Sequence, residues 1–364
     1  MRAASAPVSD LARLRLQIQG IVPPRFERPE QPVGWLGAVQ SQEYWYAKWS
    51  VGQRVAGCDE VAMDRALAEG TILRTHVLRP TWHHVLPEDI LWMQHATAHR
   101  VRRMMAAYDR ALELDEGEYV RAKEVIAAAV AGGRHHTRSE LAEKLAEVGI
   151  EAKGQRLAHL VMRAELDGVI CSGVPRGKQI TYALVEERAP RARELDAEEA
   201  LAELTLRYFS GHGPATEKDF RWWASLTAGE ARRGMEMVAG QLERWQQGER
   251  TYWWIPTHSA RTSTPEAGTA HLLQAYDEYV VGYSESRGTM DVAGIAGAAP
   301  GPLLHVLVFD GQVIARWRRR PGRGDPVIEI AFVRAVGSEE RKAVHEAVGR
   351  FSTFYGNEPI VAEL

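Results

Sequence analysis

Three times before residue 257 the chain repeats one order of signals: helical segments, then two short β-rich runs joined by a turn. A repeated supersecondary unit restricts the fold more than any single motif, because each copy must bury its own apolar face. Helices followed by a two-stranded hairpin make a winged helix, so the pattern predicts three in tandem. The first spans 9–86. Ser9 or Asp10 caps a helix through Gln19, a second helix covers 41–53, and Asp59 caps a third over Glu60–Glu69 that Gly70 ends. Its wing is 71–77 and 81–85, around Arg79-Pro80. A helical spacer fills 87–114. In the second unit, 115–185, helices are predicted at 119–130, 137–148 and 155–167, with a capping box at Thr137-Arg138-Ser139-Glu140 and a wing of 169–172 and 179–184. The third, 196–256, has helices at 197–210, 216–224 and 228–237 and a wing turned at Gln247-Gly248.

From residue 269 the pattern changes. Strands are predicted at 271–275, 303–309, 313–317 and 327–332, with a hairpin turn at Asp310-Gly311 and a helix over 338–354. This C-terminal part, 269–364, reads as a β-rich, barrel-like subdomain, and 258–268 as a polar loop. The fold class is mainly α with β (α+β).

Composition sets the outer limits. The 364 residues are 45% hydrophobic and 26% charged, which is ordinary globular chemistry and enough chain for two or three compact units. No apolar run approaches the roughly 20 residues of a membrane span. The N-terminal residues lack the apolar core of a signal peptide, so a cytoplasmic protein is expected. Cys58 and Cys171 make neither a disulfide framework nor a metal cluster. His83-His84 and His135-His136 have no second cluster at ligand spacing. They read as exposed or hydrogen-bonded histidines, and no metal or other cofactor is expected.

The net charge of −3 argues against a general nucleic-acid coat, but the basic residues are clustered. Tandem winged helices bind DNA, or alternatively serve as protein-binding scaffolds. The second unit carries a helix-turn-helix pattern, with Arg156 on its second helix and a basic wing tip holding Arg176 and Lys178. The run Arg316-Trp317-Arg318-Arg319-Arg320-Pro321-Gly322-Arg323 extends a strand into a Pro-Gly turn with five arginines. It reads as a finger laid against phosphates or into a minor groove, or as a solvated hairpin. Arg74 and Arg79 are further phosphate candidates. Trp45 and Trp49, four apart on a helix, read as core. Asp277-Glu278 lies in an aromatic, β-like run and is as well explained by hydrogen bonding as by catalysis.

Four segments together resemble the AlkZ/YcaQ family of winged-helix DNA glycosylases. They are Gly37-Ala38-Val39-Gln40-Ser41-Gln42, the stretch from Arg74 to Val85, Gly213-Pro214-Ala215-Thr216-Glu217-Lys218-Asp219-Phe220-Arg221-Trp222-Trp223, and Ala275-Tyr276-Asp277-Glu278-Tyr279-Val280-Val281-Gly282-Tyr283. The family has a Gln-x-Gln branch and a Gln-x-Asp branch. Gln40 and Gln42 place this chain in the former, with Ser41 at a middle position that is often apolar. The resemblance implies a C-shaped set of winged helices around a concave, basic DNA-binding face. It implies excision of bulky N7-alkylated purines from double-stranded DNA, in some members as self-resistance to crosslinking natural products. It also implies little sequence specificity and a lesion not flipped into a deep pocket.

That chemistry needs little machinery. An N7-alkylated purine is cationic and leaves without being protonated. What remains is to place water at the sugar carbon and tolerate positive charge there, which neutral amide oxygens do. Without the family likeness, Gln40 and Gln42 would read as ordinary surface residues near a helix start. The expected protein is a monomeric, monofunctional glycosylase, nucleoid-associated when bound to DNA. The alternatives are a non-catalytic DNA-binding regulator, which has no use for the glutamine pair, and a protein that sequesters a DNA-damaging drug.

Overall fold

The computed structural model describes residues 8–256, 267–295, 304–320, 326–358 and 360–364. In chain order the elements begin with α1 (Val8–Ile18), α2 (Glu30–Leu36), β1 (Val39–Gln40), α3 (Tyr44–Gly52), α4 (Glu60–Glu69), β2 (Leu73–His76), β3 (Trp82–Val85) and α5 (Ile90–Ala111). Next come α6 (Glu116–Val130), β4 (His136–Thr137), α7 (Arg138–Glu147), α8 (Gly154–Leu166), β5 (Ile170–Ser172), β6 (Thr181–Leu184) and α9 (Val185–Arg188). Then follow α10 (Ala197–Gly211), α11 (Glu217–Ala224), α12 (Ala228–Met237), β7 (Glu243–Gln247), β8 (Arg250–Trp254) and β9 (Ala270–Leu273). The chain closes with α13 (Glu278–Val281), β10 (His305–Phe309), β11 (Gln312–Arg320), β12 (Val327–Phe332), α14 (Ser338–Tyr355) and β13 (Ile360–Glu363). Contacts divide the chain into two compact units, 1–63 with 202–364 and 64–201. The two points of division fall inside α4 and inside α10.

In the unit 64–201, α6, α7 and α8 pack around Tyr119, Ile126, Leu141, Leu145, Leu157 and Leu160. The hairpin β5–β6 closes that core with Ile170 and Tyr182, and β4 adds to the β6 edge. Thr137 starts α7 with a reciprocal cap: its hydroxyl accepts the Glu140 N–H (3.3 Å), and Glu140 accepts the Thr137 N–H (2.6 Å). The same device starts α11 at Thr216 with Asp219, and α12 at Thr227 with Glu230. In β2 the Arg74 N–H donates to the Ser172 hydroxyl (2.8 Å), which ties the β2–β3 hairpin to β5.

The other unit is centred on a five-stranded sheet of order β13-β12-β11-β10-β9. β9 to β12 run antiparallel, and β13 adds in parallel to β12. The barrel-like expectation is corrected here: β9 and β13 are opposite edges, so the sheet is open. Helix α14 occupies the face a barrel would turn inward, burying Val344, Ala347, Val348, Phe351 and Phe354. Trp49 and Trp317 pack on Phe351, with ring centroids 5.4 and 5.1 Å away, and Trp45 stacks on Tyr355 at 3.6 Å. The turn at Asp310-Gly311 has positive φ at both residues (47° and 77°), the geometry that matches strand twist in a two-residue hairpin. Arg15 of α1 is fully buried, donating to the Pro214 carbonyl and the Ser286 and Thr289 hydroxyls, over the ring of Tyr283.

His305, at the start of β10, makes this core pH-sensitive. Its ring is buried against Tyr46 and Trp317, and Nδ1 accepts the Ala275 N–H at 3.2 Å. Burial pulls its pKa down to about 4. The unfolded value is near 6.5, so the stabilisation is fully present above about pH 6.5 and is lost as pH falls toward 4. Urea midpoints should drop between about pH 7 and 5 by the equivalent of about 2 kcal/mol from this residue. His305→Asn, which keeps an acceptor near the Nδ1 position, should flatten that slope. His271, pushed down to about 3 by burial and by Arg350 and Arg54, contributes in the same direction and leaves a residual slope.

Candidate active site

Helix α2 ends at Gly37, whose φ of 80° turns the chain into β1. Strand β1 ends at Gln40, and the chain then passes through Ser41 and a bend at Gln42 and Glu43 to the start of α3. Gln40 is held by its main chain. Its N–H donates to Glu278 Oε1 (2.9 Å), and its carbonyl accepts from Gln274 Nε2 (3.4 Å). Gln274 also donates to the Ser50 hydroxyl of α3 (3.0 Å). Gln40 and Ser41 are buried and Gln42 is half-buried. The amide oxygen of Gln42 is itself out of contact with solvent and accepts no hydrogen bond from the protein.

The two acidic neighbours are committed elsewhere. Glu278 Oε2 accepts from Trp223 Nε1 (2.8 Å) and sits 3.0 Å from His212 Nε2. Asp277 caps α13 through the Tyr279 N–H (2.9 Å) and takes two hydrogen bonds from Arg54 (2.8 and 2.9 Å) and one from Gln53 Nε2 (3.2 Å). All four of these partners' side chains and both carboxylates lie in the interior. A carboxylate so saturated with donors is a fixed acceptor that positions its neighbours. The β-like reading of this run is corrected: β9 stops at Leu273, and Asp277 caps a helical turn instead. Around the glutamine loop, then, the protein offers neutral amide groups on a backbone pinned by buried charge.

The candidate phosphate contacts fall into two groups. Lys178 and Arg320 are exposed. Arg176 is also exposed but pairs with Glu140 (2.6 Å) and the His135 carbonyl (2.8 Å). The remainder are engaged within the protein. Arg74 is buried with its guanidinium over Trp82 (4.4 Å). Arg79 Nη2 lies 3.5 Å from His83 Nε2, and burial together with Arg79 holds His83 neutral. Arg156 pairs with Glu118 (2.5 Å) and donates to the Leu112 and Glu151 carbonyls, joining α8 to the start of α6.

Strand alternation sorts the arginine run. Arg316, Arg318 and Arg320 share one face of β11, and Arg319 lies on the other. Arg316 donates to the Ile295 carbonyl. Arg318 and Arg320 both pair with Glu329 of β12, at 2.5 and 2.7 Å, and Arg318 holds that carboxyl below its ordinary range. Arg319 lies over the Trp45 ring of α3 at 4.8 Å. Arg323 lies outside the described residues, as does most of the predicted 258–268 loop. Among the described residues no three His, Cys, Asp or Glu side chains gather as a metal site, and no helix is long and apolar enough to cross a membrane.

Sequence reading missed the carboxylate anchor of the glutamine loop and the acid beneath the arginines. One signal did point to the anchor. Three of the four segments that carry the family likeness supply Gln40, Trp223 and Glu278, and these meet in a single hydrogen-bonded group.

The same elements recur in known proteins. The model of the family described as "DNA glycosylase AlkZ-like" matches residues 33–354. An interstrand DNA cross-link repair glycosylase from Streptomyces sahachiroi is 25% identical over 325 residues, covering 83% of this chain and 85% of the relative. The solved structure of Streptomyces sahachiroi DNA glycosylase AlkZ aligns with a TM-score of 0.79 at 22% identity, over 99% of this chain and 100% of that one. The structural likeness speaks for a shared mixed helix-and-sheet fold. The family match runs from α2 to α14 and takes in the glutamine loop and its carboxylate anchor. The chain belongs to the AlkZ-like family of DNA glycosylases.

Proposed function

We propose that this glycosylase hydrolyses the N-glycosidic bond of bulky N7-alkylated purines in duplex DNA, with Gln40 and Gln42 positioning the attacking water. The observation that carries the reading is the Gln42 amide oxygen, buried and without a protein partner next to a backbone held by Glu278. A buried acceptor left unmade is costly, and a turn of the Gln42 side chain toward solvent would give it the water that a hydrolytic site needs. The cationic leaving base needs no general acid, which suits a site whose two carboxylates are already saturated. A regulator of transcription has no use for such an amide. The name of the Streptomyces relative supports the further reading that crosslinked adducts fall within the substrate range; self-resistance to a crosslinking toxin is a setting that such an activity would serve. We read 9–86, 115–185 and 196–256 as the three winged helices that would carry the DNA, with the enzyme acting as a monomer. The test is incubation with N7-methylguanine duplex and with a bulky N7-adduct duplex, followed by heat or alkali to reveal abasic sites. Breaks at neither substrate would refute the reading.

Phosphate contact is assigned first to Lys178, and conditionally to Arg318 and Arg320, whose charges Glu329 now balances. Glu329→Gln should therefore tighten DNA binding and steepen the dependence of log K on log salt by about one to two contacts, each worth a slope of about 0.9. Changing Arg318, Arg319 and Arg320 to alanine should weaken binding and flatten the same plot. Salt titrations of both variants on one duplex provide the check. An unaltered slope in both would remove this hairpin from the DNA interface.

A further inference from the structure

The far end of α3 borders a cavity that the excision chemistry does not use. It measures 770 Å³ and is walled by Val22, Pro23, Trp49, Val55, Leu272 and Phe354, among others. That size and that largely apolar wall suit a small organic molecule. At 1.5 Å per helical residue, the Gly52 end lies on the order of 15 Å from Gln42. Neither Gln40 nor Gln42 lines the cavity.

Three polar atoms of lining residues are buried and have no hydrogen-bond partner: Gln53 Oε1, Thr269 Oγ1 and His271 Nε2. A buried polar atom left unmade carries a free-energy cost that a hydrogen-bonding guest would relieve. Here three such atoms, from the end of α3, the approach to β9 and β9 itself, sit on residues that line one cavity, just behind its present surface, where a turn of the side chain would bring them to a guest. The Gln53 amide cannot simply turn over to satisfy itself. Its Nε2 donates to the Asp277 carboxylate (3.2 Å), and a flip would set oxygen against oxygen. The charged groups of the wall are occupied. Arg350 donates to the Ala270 carbonyl (2.5 Å), and Asp59 accepts the Ala62 N–H (2.8 Å). His271 is neutral at physiological pH, since its pKa lies at about 3. The wall therefore calls for an uncharged guest with its own donor and acceptor.

We propose that this cavity is a second ligand site, for a small neutral compound bearing an amide-like N–H beside a carbonyl. The N–H would donate to Gln53 Oε1, and the carbonyl would accept from the Thr269 hydroxyl. The proposal is independent of the excision reading, because it requires neither DNA nor turnover.

Quinolin-2(1H)-one is small enough for the cavity, has the required polarity and serves as the probe. Titrated calorimetrically into the full chain, it should bind saturably at one site with a Kd below about 1 mM, the range open to a ligand of its size. Gly349 of α14 lines the cavity, and a Cβ built there meets nothing within 4 Å. Gly349→Phe should therefore leave the fold intact while closing the opening, and weaken the probe by at least about tenfold. Thr269→Val keeps the side-chain shape without the hydroxyl and should weaken it by about three- to tenfold. Circular dichroism of both variants separates lost binding from lost structure, and Thr269→Val decides alone if Gly349→Phe does not fold. No saturable binding up to the solubility limit, or wild-type affinity in the folded variants, overturns the proposal.

Discussion

Gln42→Ala should slow single-turnover excision of a bulky N7-alkylguanine by on the order of 10- to 1,000-fold, with duplex affinity kept within about twofold. The split follows from where the residue sits. Its amide oxygen is buried, accepts nothing from the protein, and lies on a loop with no charge of its own to offer a phosphate. Truncation removes an acceptor for water and leaves the cationic contacts untouched. Gln40→Ala should fall in the same range. Its backbone bonds to Glu278 and Gln274 do not involve the side chain, so the loop should keep its course. The double variant should cost less than the product of the singles, since both act on one water. Glu278→Gln tests the anchor separately: it should lower excision by moving the Gln40 backbone, with both glutamines still present. Single-turnover rates measured beside affinities for one duplex check all four proteins. Wild-type excision by both alanine variants with normal binding would make the glutamines structural.

Local order was written plainly where one residue type decides it. Thr227 fixes the start of α12, and alternation gives β12 as Val327–Phe332, so both were legible to the residue. Helix α2 was not, because Pro32 and Gly34 dilute its helical signal over only seven residues. The Tyr276 to Tyr283 run reads as strand from its aromatic and β-branched residues, but the Asp277 cap turns it into a helix. Edge strand β13 pairs in parallel with β12, and neither that pairing nor the open sheet leaves a local trace. The site divides in the same way. Gln40 and Gln42 stood out only through the family likeness, since two glutamines carry no spacing rule. The grip of Glu278 on Gln40 bridges 238 residues, beyond any pattern read along the chain. The arginine run was visible as charge. Its partial neutralisation depends on a register that sets Arg318 opposite Glu329.

Asp277→Ala should destabilise the fold by about 3–5 kcal/mol, the cost of leaving one member of a buried ion pair alone. Arg54 and Asp277 are both fully excluded from solvent, and the guanidinium reaches both carboxylate oxygens. Once the carboxylate is gone, Arg54 keeps the neutral acceptors Gln19 Oε1 (2.9 Å), the Gln19 carbonyl (3.1 Å) and the Ser50 carbonyl. These orient the guanidinium but do not balance its charge. The change also removes the α13 cap, worth about a further 1 kcal/mol. With a urea slope of about 1–3 kcal/mol per molar, the midpoint should fall by more than about 1 M. Asp277→Asn, which keeps the shape and an acceptor but not the charge, should lie between the two. Replacing both partners, Arg54→Met with Asp277→Leu, should recover much of the loss, because two desolvated charges and their mutual attraction vanish together. A loss below about 1 kcal/mol in Asp277→Ala would mean that the buried pair does not hold this core. The anchor of the glutamine loop would then have to come from Glu278 and its Trp223 and His212 contacts alone.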